Sequence, residues 1–171
     1  MRGSKKVIRL IAIVMMVALT AGICGCSGKL PFMKGDSKTL EEYQAEATEL
    51  SYYLVKRIFI ADYDSVRKYI KSDERDKVEP IISKMDTRLY TEADVSIATV
   101  YTDPQTKETQ IEYRITLHFQ KTTNSFFCQM TLTRSGSDWR MSNAMPFCLD
   151  MERINEKFAD VKREEEKNVK Y

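Results

Sequence analysis

The thiols and imidazoles are few: Cys24, Cys26, Cys128, Cys148 and the single histidine, His118. Covalent catalysis needs a thiol or hydroxyl beside a general base, and a zinc centre needs about four Cys, His or carboxylate ligands at short spacing. His118 has no second histidine, and no Cys pair or carboxylate cluster stands at ligand spacing. No metal site, catalytic triad or cofactor is therefore expected. Alternation with Leu117 and Phe119 turns His118 outward, opposite Phe127 in the hairpin register, as a surface residue. Cys128 falls on the apolar side of a strand pattern and reads as a core thiol. A bridge to Cys148 requires Cα atoms within about 7 Å, whereas hairpin pairing sets Cys128 opposite Met145 and Cys148 roughly 10 Å off, unless the chain curls back after Pro146.

Cys24 and Cys26 sit in a different setting. Arg2, Lys5, Lys6 and Arg9 precede Leu10–Ile23, a run of 14 residues without a charge. That length matches the apolar core of a signal peptide and falls short of the roughly 18–20 residues of a spanning helix. A short signal-anchor helix is the alternative if Val7 is counted and Arg9 snorkels. Ile23-Cys24-Gly25-Cys26 follows. It resembles a bacterial lipobox, in which a small residue precedes the cysteine that becomes lipidated. Gly25 fits that subsite and bulky Ile23 does not, so Cys26 is the expected acceptor rather than Cys24. An ordinary secretory cut nearby would instead leave a soluble chain. A diacylglyceryl thioether carries two long chains, which at about 0.8 kcal/mol per buried CH₂ anchor stably where one chain does not.

Cleavage before Cys26 removes four of the 27 basic residues, leaving 23 against 25 acids, formally −2. Such a chain has no electrostatic reason to bind nucleic acid, and its membrane contact rests on the anchor alone. With 43% hydrophobic and 30% charged residues in 171, neither a disordered nor a polytopic membrane protein fits. Four cysteines are too few for a disulfide scaffold at this length.

The elements that must position these groups follow from periodicity. Residues 1–25 form the expected signal peptide and 26–38 a tether, whose twelve flexible residues from Ser27 reach about 20 Å. Thr39-Leu40-Glu41-Glu42 is a capping box opening a long helix with the stripe Leu40, Tyr43, Ala47, Leu50, Leu54, Ile58 and Ala61. A short helix is expected over Tyr63–Ile70, and another with Pro80 at its first position. After Thr91 the period changes to two. Val95–Tyr101, Ile111–Phe119, Phe126–Leu132 and Trp139–Met145 predict four antiparallel strands in a meander, with Ala98 and Val100 off the pattern. Asp150 is expected to cap a final amphipathic helix over 150–171, whose charged end from Arg163 reads as solvated. The predicted fold class is α+β: a long helix and two short ones on a curved four-stranded meander, with an extra C-terminal helix.

Helices followed by a meander that ends in a Trp strand (SGSDWRMSN) resemble the cystatin-like cone of the nuclear-transport-factor-two-like superfamily over residues 39–147, within a domain expected over 39–149. Many small bacterial envelope lipoproteins are similar. The resemblance implies a pocket between the concave sheet face and the long helix, where enzymes of the superfamily place Asp, His or Glu. Strand parity turns only apolar and neutral polar residues inward here, so no acid or base is available and no catalytic role is expected. Thr99, Tyr101, Tyr113 and Asn143 are the inward polar residues and the candidate pocket; the alternative is that Asn143 satisfies backbone groups and the tyrosine hydroxyls reach the rim. The resemblance further implies an accessory or small-ligand-binding domain, or a subunit of an envelope secretion or conjugation complex. A weak homodimer through the polar outer sheet face is the other expected contact.

Overall fold

The capping box forms as the spacing predicts. Thr39 Oγ1 accepts from the Glu42 N–H at 3.2 Å, and the Glu42 carboxylate accepts from the Thr39 N–H at 2.7 Å, opening α1 (Leu40–Phe59). The computed structural model describes residues 38–119 and 122–168. The expected signal peptide, the lipidation site Cys26 and all of the tether before Lys38 lie outside the described residues. Tyr43, Ala47, Ser51, Leu54, Val55, Ile58 and Phe59 are the buried stripe of α1, while Leu40 is exposed and Leu50 half-buried. The helix ends in a Schellman turn: the Asp62 N–H reaches Arg57 O and the Ala61 N–H reaches Ile58 O, with Ala61 at φ +58°.

Three short helices follow, α2 (Tyr63–Arg67), α3 (Arg75–Ser83) and α4 (Leu89–Glu92). α2 is shorter than expected. α3 starts five residues before Pro80, so Pro80 stands inside the helix rather than at its first position. The carbonyl it leaves unpaired belongs to Asp76, an exposed first-turn residue that water reaches. α4 carries no periodic signal of its own and was not expected; buried Leu89 holds it to the core.

The sheet is antiparallel with strand order β1-β2-β3-β4: β1 (Ala93–Thr102), β2 (Thr109–His118), β3 (Thr123–Ser135) and β4 (Asp138–Met141). Ile111, Tyr113, Ile115 and Leu117 of β2 and Cys128, Met130 and Leu132 of β3 point into the core, at 3% exposure or less. A bulge between Ile97 and Thr99 reverses the facing of β1, so Val100 and Thr102 turn inward. The β3–β4 turn uses Gly136 at φ +63°, a conformation that favours glycine.

β4 is shorter than the alternation predicts. Ala144 already opens α5 (Ala144–Asn168), six residues ahead of the expected Asp150 cap. Ala144, Phe147, Cys148, Met151, Ile154 and Phe158 are its buried face, set against β3 and α3. The charged end of α5 is tied to α4 by Lys162–Glu92 at 2.6 Å and Arg88–Glu166 at 3.5 Å. The buried apolar residues of all five helices and of the sheet form one cluster, and the protein is α+β. Among the described residues no helix is long and apolar enough to cross a membrane.

Candidate functional site

The four residues expected to share a pocket do not meet. Tyr113 is fully buried beneath α1, and its hydroxyl is hydrogen-bonded to Ser51. Ser51 uses its own proton on Thr48 O at 2.7 Å, so Tyr113 is the donor. The bulge carries Thr99 and Tyr101 to the outer face, where Thr99 donates to Glu112 at 3.2 Å and Tyr101 is 57% exposed. Asn143 follows β4 and holds the β3 backbone, accepting from the Thr131 N–H at 2.8 Å and donating to Gln129 O at 2.7 Å. It takes up main-chain groups past the end of β4, the role in which an Asn side chain imitates a strand. The inner face of the sheet is covered by the protein's own buried side chains.

The histidine and the thiols are also placed. His118 pairs across the hairpin with Thr123 rather than Phe127, and its Nε2 lies 2.7 Å from Asp94 Oδ2 on the open outer face. Cys128 and Cys148 are both buried free thiols, and Cys148 enters the core because the chain turns into α5 directly after β4. Burial pushes each thiol up to about 12. That setting holds the proton and suppresses nucleophilicity.

An open concavity lies between α1, the segment from α2 to α3, and the β3–β4 hairpin. Glu46, Glu49, Leu50 and Tyr53 bring one helical stripe to it, adjacent to the buried stripe. Lys68 and Tyr69 come from the end of α2, Arg75 from the start of α3, and Trp139 and Arg140 from β4. A main-chain bond from the Met141 N–H to Tyr69 O, 2.8 Å, ties β4 to the α2–α3 segment and fixes the groove width. Two adjoining cavities of about 410 and 500 Å³ share the walls Leu50, Lys68, Tyr69 and Trp139.

The rings are held in place. Trp139 meets Tyr43 edge-on at 6.2 Å between centroids, with the Arg134 guanidinium over both rings. Tyr53 meets Tyr69 edge-on at 6.4 Å, and the Lys68 ammonium lies 4.8 Å from the Tyr69 centroid. A hydrogen bond from Lys38 chiefly, with the Lys38 and Arg134 charges and the Trp139 side chain, holds the Glu46 carboxyl below the usual carboxylate range. Such a groove can stack a planar or ring-shaped ligand and pair its charges; the residues on its walls were not singled out as a site by sequence. Tyr53 and Glu46 stand off the main apolar stripe of α1, which is the one local signal they carry. Among the described residues no group of three or more His, Cys, Asp or Glu is arranged for a metal ion.

No family model, curated protein or solved structure matches the chain.

Proposed function

We propose that the protein is a lipid-anchored, extracytoplasmic binding or accessory domain that works without catalysis, and that its folded part is a cystatin-like cone filled by its own core. The observation that carries the binding reading is the groove at Trp139, Tyr69 and Leu50, an open aromatic-walled concavity beside the buried core. The inward strand residues support the non-catalytic part, since the titratable groups among them are one phenol and one thiol, both raised above their ordinary values by burial. The charge-free run ending in Ile-Cys-Gly-Cys supports the anchor. Intact mass of the membrane fraction tests this: the native protein is expected at the mass of a chain starting at acylated Cys26, and Cys26→Ala is expected to remain unprocessed and unacylated. Equal mass and membrane retention for both would overturn it.

A second reading, a subunit of an envelope complex, is favoured by the uncovered outer sheet face. Tyr101 and Phe127 there are 57% and 58% exposed, the largest exposures of any Phe, Tyr or Trp among the described residues. Blue-native electrophoresis of solubilised membranes separates the two: a discrete large complex supports the subunit, and a free monomer or dimer supports the tethered binding domain.

A further inference from the structure

We propose that the free edge of β1 is a self-association surface, and that two copies of the protein pair antiparallel through Ala93–Ile97 with Val95 of each on the two-fold axis. β1 ends the sheet on one side, since the strand order is β1-β2-β3-β4. The register fixes where its main-chain groups point. At the β2–β3 turn the Phe119 N–H donates to Thr122 O, so the odd-numbered residues of β2 bond to β3 and the even-numbered ones to β1. Asp94 and Ser96 lie opposite Thr116 and Arg114 and take those bonds. The N–H and C=O groups of Val95 and Ile97 therefore point away from the sheet, and among the described residues none bonds to them. Both side chains are half-buried, whereas Ile111, Ile115 and Leu117 on the same face of β2 are fully covered.

Both ends of this open stretch are closed. At one end the Ala93 N–H is taken by Leu89 O as α4 finishes. Past Ile97 the bulge interrupts the ladder, and Gln44 Nε2 donates to Val100 O at 3.3 Å, which covers the edge there. The part left open is Ala93–Ile97, and Val95 is its centre. A row of outward donors and acceptors is filled by water or by another strand. The open stretch is symmetric about Val95, which a two-fold pair needs and a foreign strand does not. With the axis there, Val95 meets Val95 and Ala93 meets Ile97 of the second copy on the inner side of the sheet. On the outer side Asp94 meets Ser96, so no like charges face each other. Tyr52, edge-on to the Tyr113 that pairs with Ile97, and Tyr90, just ahead of Ala93, are 48% and 43% exposed and rim the joint. The joint is far smaller than the roughly 20–30 residues a side of a standard interface, so the pair is expected to separate on dilution.

The full chain in intact cells provides the test. Val95→Cys, Phe127→Cys and the native protein are treated with a short-arm bismaleimide and run on a denaturing gel. Val95 lies about 5.5 Å from its symmetry mate in a bonded pair, so Val95→Cys is expected to give a band at the dimer mass. The native protein and Phe127→Cys are expected to give none. A dimer band in Phe127→Cys and none in Val95→Cys places the contact on the outer sheet face and overturns the edge.

A Val95→Cys band at another mass means that a foreign chain covers the edge, and no band above the native background means that nothing does; either overturns the second copy. Charge exchange then checks the symmetry in two differently tagged, co-expressed copies. Val95→Lys in both, or Val95→Glu in both, is expected to lower co-purification at least about tenfold. Val95→Lys in one copy with Val95→Glu in the other is expected to restore it, because the two side chains lie side by side across the axis. Recovery in the mixed pair also shows that both variants fold. Equal loss in all three combinations of folded variants overturns the axis at Val95; if circular dichroism shows them unfolded, the cross-link from the smaller change Val95→Cys decides.

Discussion

Ser51 and Tyr113 meet with two buried hydroxyls beneath α1, and the direction of their hydrogen bond sets an asymmetry. Tyr113 donates and Ser51 accepts, while Ser51 keeps its proton on Thr48 O. Tyr113→Phe removes a donor and leaves Ser51 still bonded, so it is expected to cost about 0.5–1.5 kcal/mol. Ser51→Ala strands a buried phenolic donor and is expected to cost more, about 1–3 kcal/mol. Urea denaturation of the two variants checks the order; a larger loss in Tyr113→Phe would show that Ser51 is the donor. Tyr113 was legible as an inward residue from alternation alone. Its partner was not, because a polar position on the buried helix stripe gives no clue to what lies opposite it.

At the scale of elements, the end of α1 holds an alanine where geometry favours glycine. Ala61 is the left-handed residue of the Schellman turn, and a Cβ there costs roughly 1–2 kcal/mol. Ala61→Gly is expected to raise stability by about 0.5–1 kcal/mol, part of the gain being offset by the greater freedom of glycine in the unfolded chain and by the lost methyl contact with the core. Thermal unfolding measures it, and a lower midpoint would mean that the methyl contact outweighs the backbone strain. β1 shows what local pattern reveals. Ala98 and Val100, two apolar residues off the alternation, mark the place where the bulge at Ile97–Thr99 reverses the strand. Read without that bulge, Thr99 and Tyr101 fall on the wrong face. α5 likewise begins early because Ser142 and Asn143 bond to β3 and end β4, a pairing between segments that helix propensity does not record.

For the whole molecule, the two buried thiols couple stability to alkaline pH. The folded state raises each from 9.0 to about 12, mainly because burial disfavours the thiolate. The unfolded chain releases these protons above pH 9, so their contribution to stability is complete below that value and is lost as pH rises towards about 12. The loss is up to about 1.4 kcal/mol per pH unit for each thiol. Urea midpoints measured across this range are expected to fall less steeply in Cys128→Ala than in the native protein, even though the variant starts from a lower stability. Parallel slopes would show that the thiols do not drive the change.

By itself the sequence determined what short-range physics decides. The capping box, the helical stripe of α1 and the alternation of β2 and β3 each depend on neighbours within a few residues, and so does the α+β order of elements. Tertiary structure decided whatever depends on two distant segments meeting. The Tyr113 hydroxyl bonds to a residue 62 positions away, and the groove draws its walls from α1, the α2–α3 segment and β4. Periodicity says which side chains leave water. It does not say against what, because burial is a property of one residue and a partner is a property of the packed chain.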